Sequence, residues 1–157
     1  MPTQTIVVKQ SDPVRIAETT ETAPGFGNEN LNPVFRRVVP HVLAHIAAAG
    51  ATPGIMIAWY EDPADDGSVT AHIGFDVTNQ EVPSSDDVRV YDLPVIDVAS
   101  AVHRGSMEGI EQVYLGLIQW IEDSGYRRVG ASRELYLEWN DDDPSRSVTE
   151  LQMPIAK

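Results

Sequence analysis

The pattern of apolar and polar positions predicts a strand, a helix and then two strands in the first half of the chain. The helix begins at Asn32 and Pro33, an N-cap residue followed by proline at the first helical position, and ends at Gly50. Pro40 falls inside the helical spacing and is expected to kink the helix or to separate its first turn. The other segments are predicted strands at 5–9, 14–17, 55–60 and 69–77, with a loop at 21–31.

The second half repeats this order of elements. A helix with one apolar stripe is expected to begin at Gly105 and Ser106 and to end at Gly125. At an offset of 76 residues, Gly54 aligns with Gly130 and Tyr60 aligns with Tyr136. The agreement in order favours an internal duplication. The predicted strands of this half are 88–91, 95–103, 131–139 and 148–155.

Two strand–helix–strand–strand units predict an α+β fold with one mainly antiparallel sheet. We expect both long helices on one face of the sheet and a ligand groove on the other face. We also expect a single domain over residues 1–157, with related halves at about 1–82 and 83–157.

The balance of charge narrows the classes of partner. The chain has 11 Lys and Arg against 24 Asp and Glu, a formal charge of −13. Such a surface repels phosphate backbones and anionic lipid, so neither nucleic acid nor a membrane is an expected partner. The absence of cysteine excludes disulfides and thiolate zinc sites, and the first residues lack the pattern of a signal peptide. We therefore expect a soluble, cytoplasmic protein.

Alternation along the predicted strand 131–139 separates two sets of side chains. Leu135 and Leu137 share one face, and we assign that face to the helices. Glu134 and Tyr136 then share the opposite face. By the offset of 76, the positions predicted to face the helices are Ile55, Ile57 and Trp59, and those that join Glu134 are Met56, Ala58 and Tyr60.

A carboxylate among aromatic rings is suited to a lipophilic cation, because the rings supply contact area and cation–π attraction while the carboxylate supplies the opposite charge. If the halves are related by a pseudo-twofold axis, Glu134, Tyr136, Tyr60 and Met56 meet in one groove. The alternative is that Glu134 is an ordinary solvated strand residue.

The chain resembles the GyrI-like small-molecule-binding domains, which are also the effector-binding domains of AraC-type regulators and the ligand-sensing half of multidrug regulators of the MerR class. The resemblance implies that Glu134, in its Arg-Glu-x-Tyr stretch, is the buried carboxylate that meets cationic aromatic ligands, with Tyr136 beside it. It also implies the duplicated fold. The matching stretches occur in the family's order at 53–60, 93–105, 120–125, 133–137 and 148–155.

The resemblance leaves three functions open. Our first expectation is a binding protein for bulky apolar, often cationic, aromatic molecules, which senses or sequesters them alone or as an excised domain. Some members of the family hydrolyse strained cyclopropane rings. In that case Glu134 would activate water, and Trp59, Tyr60 or Tyr136 would hold the substrate. A third reading is a ligand-responsive subunit that works with a DNA-binding regulator partner or as a homodimer.

Several other residues are candidates for the site. His103 either lines the pocket or forms a hydrogen-bonded cap, and Phe26 either closes over the groove or is a hydrophobic anchor. His41 and His45 have a spacing that can bind a metal, but without a third ligand they are expected to be exposed helix residues. We expect neither a metal nor a cofactor. The aromatic residues assigned to structural roles are Tyr114, Trp120 and Trp139.

Overall fold

The computed structural model describes residues 5–157, so the first four residues of the N-terminus considered above lie outside the described part. The described residues contain nine β-strands and two α-helices. None of their helices is long and apolar enough to span a membrane. The elements are β1 (Ile6–Gln10), β2 (Val14–Ala23), α1 (Asn28–Ala48), β3 (Met56–Tyr60), β4 (Val69–Asp76), β5 (Arg89–Leu93), β6 (Asp97–Arg104), α2 (Ile110–Asp123), β7 (Arg127–Arg128), β8 (Arg133–Glu138) and β9 (Val148–Ala156).

The chain divides into two compact units. The continuous unit is Pro13–Pro94, and the discontinuous unit combines residues 5–12 with Val95–Lys157. These units differ in their limits from the predicted repeat halves, about 1–82 and 83–157, of the single domain expected from the sequence. The difference arises because β1 pairs with β6 and β5 pairs with β2, so each half of the chain contributes one strand to the unit formed mainly by the other half.

The continuous unit has the strand order β3-β4-β2-β5, with every pair antiparallel. α1 packs against β2 and β4. It begins at Asn28, four residues before the predicted start, and includes both Pro33 and Pro40. β2 extends through polar residues predicted to be a loop, because its pairing with β4 continues to Ala23. The residues that α1 buries repeat every four positions: Val34, Val38, Val42 and Ile46.

The discontinuous unit has the strand order β1-β6-β9-β8, also antiparallel, and the short β7 pairs with β9. α2 follows a 3-10 turn at Met107–Gly109 and packs against β6. The apolar stripe predicted for this helix supplies Leu117 and Ile121 to the core. The strand residues of that core are Ala99, Ala101, Leu151, Met153 and Ile155.

The α+β class, the antiparallel pairing and the repeated strand–helix–strand–strand order are confirmed. The order is β2-α1-β3-β4 in one unit and β6-α2-β8-β9 in the other, with β7 as a short addition. The strands left over, β1 and β5, are the two that pair outside their own half of the sequence. Each unit therefore holds one helix against its own four-stranded antiparallel arrangement.

Candidate functional site

Glu134 lies on the face of β8 that α2 covers. Its partner across the ladder is Leu151 of β9, and directly opposed residues of an antiparallel pair project from the same face. Leu151 belongs to the core formed with Leu117 and Ile121 of α2. Tyr136, two residues along β8, projects on the same face as Glu134.

The face predicted for Glu134 and Tyr136 was the one away from the helices, and this prediction was wrong. Leu135 and Leu137 project away from α2, and Leu137 is 43% exposed. Alternation correctly grouped Glu134 with Tyr136, but it does not say which group the helix covers. The apolar side chains that pack under α2 come from β6 and β9, so the leucines of β8 are not needed there.

Two tyrosine hydroxyls hold the carboxylate of Glu134. Tyr114 of α2 donates a hydrogen bond to Oε2 at 2.8 Å, and Tyr136 donates one to Oε1 at 2.7 Å. Glu134 is only 5% exposed. Both oxygens of this buried carboxylate therefore accept hydrogen bonds from phenol hydroxyls, in a setting lined by aromatic rings.

Aromatic contacts extend from this carboxylate. Trp139 meets the ring of Tyr136 edge to face, with centroids 5.5 Å apart and an angle of 87°. Its indole nitrogen donates a hydrogen bond to Asp141 at 2.7 Å, and the side chain is exposed, whereas a structural role was predicted for it.

Tyr114 was predicted as a core residue. Its hydroxyl was the missed signal, since it is the one polar atom on the apolar stripe of α2.

In the continuous unit, Met56, Ala58 and Tyr60 project from one face of β3, which is the face toward α1. Tyr60 is opposite Ala71, Ala71 is opposite Glu21, and Glu21 forms an ion pair with Arg37 of α1 at 2.7 Å. The predicted side of the sheet is therefore wrong here as well. That these residues and Glu134 share one groove stays a prediction.

Phe26 contacts Tyr60, as expected for a residue that covers this part of the unit. The two rings meet edge to face with centroids 5.9 Å apart. Phe26 is exposed and precedes the first turn of α1. This contact supports either of the predicted roles, an anchor or a cover.

Trp59 projects from the other face of β3, away from α1, whereas the sequence analysis placed it toward the helices. Its indole stacks on the imidazole of His72, with centroids 4.9 Å apart and an angle of 3°. Trp59 is thus separated by the strand from Met56, Ala58 and Tyr60.

The remaining histidines make local contacts. His103 Nε2 lies 2.7 Å from the carbonyl oxygen of Ser106, the geometry of the hydrogen-bonded cap. His41 lies 3.8 Å from Asp87, and His45 lies 2.6 Å from the carbonyl oxygen of Pro83. Within residues 5–157, no group of three or more His, Asp or Glu side chains is arranged to hold a metal ion.

Glu150 is a second buried carboxylate of the discontinuous unit. Its Oε2 accepts hydrogen bonds from Ser100 and Gln152 and lies 2.9 Å from Lys9 Nζ. Burial acts to raise the pKa of Glu150, but the hydrogen bonds from Gln152, Lys9 and Ser100 outweigh it, and the pKa is lowered. This group is part of the structure of the sheet, since all four residues lie on paired strands.

The continuous unit contains a cluster of one histidine and two glutamates that was not predicted from the sequence. His72 contacts Glu18 through Nδ1 at 2.8 Å and Glu61 through Nε2 at 2.7 Å. The hydrogen bond with Glu18 is the largest influence and raises the pKa of His72, with burial acting in the opposite direction. No local pattern predicts this cluster, because its members come from three separate strands or strand ends.

These features define a small α+β module of paired repeats with a buried carboxylate among tyrosines. The family model of the GyrI-like small molecule binding domain matches residues 13–156. The chain therefore belongs to the GyrI-like family, as the resemblance implied. No curated protein matches the chain at a significant level.

Solved structures share this fold. The crystal structure of the EcmrR C-terminal domain has a TM-score of 0.80 and 20% identity, and the match covers 98% of each chain. In the cryo-EM structure of an EcmrR–DNA complex, the match has the same TM-score of 0.80 and 20% identity and covers 99% of this chain, which spans 58% of that EcmrR chain.

Two more distant structures carry ligand or activity names. SAV2435 bound to tetraphenylphosphonium has a TM-score of 0.67 and 16% identity, with 97% of this chain and 94% of that chain covered. A hydrolase from Listeria innocua has a TM-score of 0.64 and 11% identity, with 99% and 93% covered. At these identities the likeness concerns the fold.

Proposed function

We propose that this GyrI-like domain binds bulky apolar cations at Glu134, in order to sense or sequester them. One observation carries the proposal: Glu134 is only 5% exposed, and its carboxylate accepts hydrogen bonds from the hydroxyls of Tyr114 and Tyr136. A buried carboxylate gains more from a nearby cation than an exposed one, because little water competes for it.

The chemistry of the tyrosines favours a particular kind of cation. Both hydroxyls point at the carboxylate, so a cation with no N–H or O–H group approaches without having to replace a hydrogen bond. Such a cation, with its charge spread over or shielded by aromatic groups, gains from contact with the tyrosine rings. The formal charge of −13 adds a long-range attraction for cations of any kind.

Related structures support the same class of ligand. The family is defined by small-molecule binding, and SAV2435 has been solved with tetraphenylphosphonium, an aromatic cation without hydrogen-bond donors. For this chain, the further ligand contacts proposed from the sequence stay predictions. They are Met56, Ala58, Trp59, Tyr60, Phe26 and His103.

Titration with tetraphenylphosphonium and with neutral triphenylphosphine oxide tests the proposal. We expect saturable binding of the cation by the wild type, and a loss of about tenfold or more in Glu134→Gln, since the substitution removes the charge and keeps the size. Binding of the neutral compound is expected to change little.

Glu138→Gln is the matched control, because Glu138 is an exposed glutamate on the same strand. It removes the same charge without touching the tyrosine pair. Equal losses of cation binding in Glu134→Gln and Glu138→Gln would reduce the effect to general electrostatics and overturn the assigned role of Glu134.

Hydrolysis at the same carboxylate is the second candidate, and the fold shared with a hydrolase from Listeria innocua favours retaining it. Mass spectrometry of a reactive, ring-strained ligand after incubation separates the two. An intact ligand supports binding alone, whereas a product gaining one water that Glu134→Gln fails to form supports catalysis. A regulator role, suggested by the EcmrR–DNA complex, would require a ligand-dependent partner.

A further inference from the structure

Three polar side chains from separate parts of the continuous unit are linked by hydrogen bonds on the face away from α1. His72 of β4 lies between Glu18 of β2 and Glu61, the residue that follows β3. The imidazole uses both nitrogens: Nδ1 is 2.8 Å from Glu18 Oε2, and Nε2 is 2.7 Å from Glu61 Oε2. Trp59 of β3 covers the ring by stacking.

The two carboxylates differ in their access to water. Glu18 has no exposed surface, and its Oε1 also accepts a hydrogen bond from Thr20 at 3.1 Å. Glu61 is 57% exposed, and its backbone begins the connection to β4. The buried contact therefore resists rearrangement, whereas the exposed contact is free to break.

We propose that Glu18, His72 and Glu61 form a proton-operated clamp that holds the 61–68 connection when His72 is charged and frees Glu61 when His72 is neutral. The charged imidazolium donates one hydrogen bond to each carboxylate. The clamp lies on the face of β3 opposite Met56, Ala58 and Tyr60, and it needs no ligand to operate.

Loss of one proton breaks only one of the two contacts. A neutral imidazole keeps a single N–H, and that N–H stays at Nδ1, because the buried Glu18 cannot replace a lost hydrogen bond with one to water whereas the exposed Glu61 can. The lone pair of Nε2 then faces Oε2 of Glu61, 2.7 Å away, with no proton between them. The two repel, and the exposed Glu61 turns toward water while the released proton enters the solvent.

The direction of the switch follows from the surroundings of His72. Within residues 5–157, the ring contacts Glu18 and Thr20 from β2 and Glu61 from the end of β3, and Arg89 of β5 lies opposite Glu18 on the same face of the sheet. Glu18 and Glu61 together raise the pKa of His72 above that of an ordinary histidine, near 6.5. The clamp is thus closed in mildly acidic solution and opens as the pH rises through the raised pKa.

The test compares amide protection with the titration of His72, both measured by NMR. The reporting amides are those of Glu61, Ala64 and Gly67, each bonded to a backbone carbonyl within the connection or at its base. We expect their protection factors to fall by about threefold as His72 loses its proton, the size expected for one exposed charged contact. The amide of Gly54, at the other end of the hairpin, is the internal reference and should not change.

Two substitutions at Glu61 separate the clamp from a general effect of pH. Glu61→Ala removes the contact in both states, so protection should be low at every pH. Glu61→Gln can accept from the charged ring and donate to the neutral one, so protection should stay high at every pH. Asp62→Asn is the matched control and should behave as the wild type, because Asp62 is an exposed neighbour of equal charge.

Either of two results overturns the proposal. One is a protection factor at these amides that stays constant while His72 of the wild type titrates. The other is an equal level of amide protection in Glu61→Ala and Glu61→Gln. Both measurements are made on the ligand-free protein, so they stand whether or not Glu134 binds cations.

Discussion

Glu134 of the discontinuous unit and Glu18 of the continuous unit are both buried, and their carboxylates have different kinds of partner. In the discontinuous unit, Glu134 accepts hydrogen bonds from the hydroxyls of Tyr114 and Tyr136, on the face that α2 covers. In the continuous unit, Glu18 contacts the imidazole of His72, on the face away from α1. Hydroxyls are neutral hydrogen-bond donors, whereas an imidazolium is a donor that carries the opposite charge.

This difference fits the two proposed tasks of the carboxylates. A free tyrosine hydroxyl loses its proton only near about pH 10. An imidazole changes its charge within the physiological range. A site for a cationic ligand needs the first arrangement, and a response to protons needs the second.

The largest expected effect concerns the packing around Glu18. A Cβ atom on Gly74 would lie 2.4 Å from the carbonyl oxygen of Ala17 and 2.7 Å from Cβ of Glu18. Because backbone must move to relieve this overlap, we expect Gly74→Ala to lower the free energy of unfolding by about 3 kcal/mol. Urea denaturation followed by circular dichroism measures it.

Gly116→Ala gives the matched comparison in the discontinuous unit. A Cβ at Gly116 of α2 has no neighbour within 4 Å, so the helix should gain about 0.5–1 kcal/mol. Equal effects at Gly74 and Gly116 would contradict the tight packing inferred beside Glu18.

A smaller effect is expected from the tyrosine hydroxyls. Tyr136→Phe leaves one oxygen of the Glu134 carboxylate without its donor, and we expect a loss of about 2 kcal/mol in unfolding free energy. Tyr126→Phe serves as the control, because the ring of Tyr126 contacts Trp120 and Lys157. If Tyr136→Phe lowers the free energy of unfolding no more than Tyr126→Phe does, the hydroxyl of Tyr136 does not stabilise the fold.

The smallest expected effect is the pH dependence of stability from His72. Its pKa is raised in the folded state, so the stabilisation is complete below about pH 6.5, the unfolded value, and is lost as the pH rises through the folded pKa. We expect a loss below about 1 kcal/mol, because only the exposed contact breaks. Thermal unfolding of the wild type and of His72→Gln checks this, and a parallel pH profile for both would exclude His72 as the cause.

Much of the fold could be predicted because local patterns determine it. The spacing of apolar residues located α2, and the alternation in residues 69–77 located β4 closely. The start of α1 and the length of β2 could not be predicted in the same way. Pairing with β4 keeps a run of polar residues in β2 up to Ala23, and no local propensity reports its distant partner, Val69.

The candidate site was predicted in part for a similar reason. The grouping of Glu134 with Tyr136 follows from a period of two residues, which is a property of one strand. The side that the helix covers depends on which neighbouring strands supply the core, and this is a property of the whole unit. Tyr114 was missed because a tyrosine on an apolar stripe packs its ring as a core residue does, and only its hydroxyl reveals a second contact.

The exchange of β1 and β5 between the halves has a consequence for synthesis on the ribosome. Val8 of β1 is paired with Ala99 of β6, so the first strand is made about 90 residues before its partner. The whole continuous unit emerges in between and is able to fold first. During that interval β1 is a short strand with unpaired edges, and Val7 and Val8, which remain exposed in the folded chain, are accessible to other chains. Lys9 at its end discourages such pairing, and the discontinuous unit closes only when the C-terminal strands arrive.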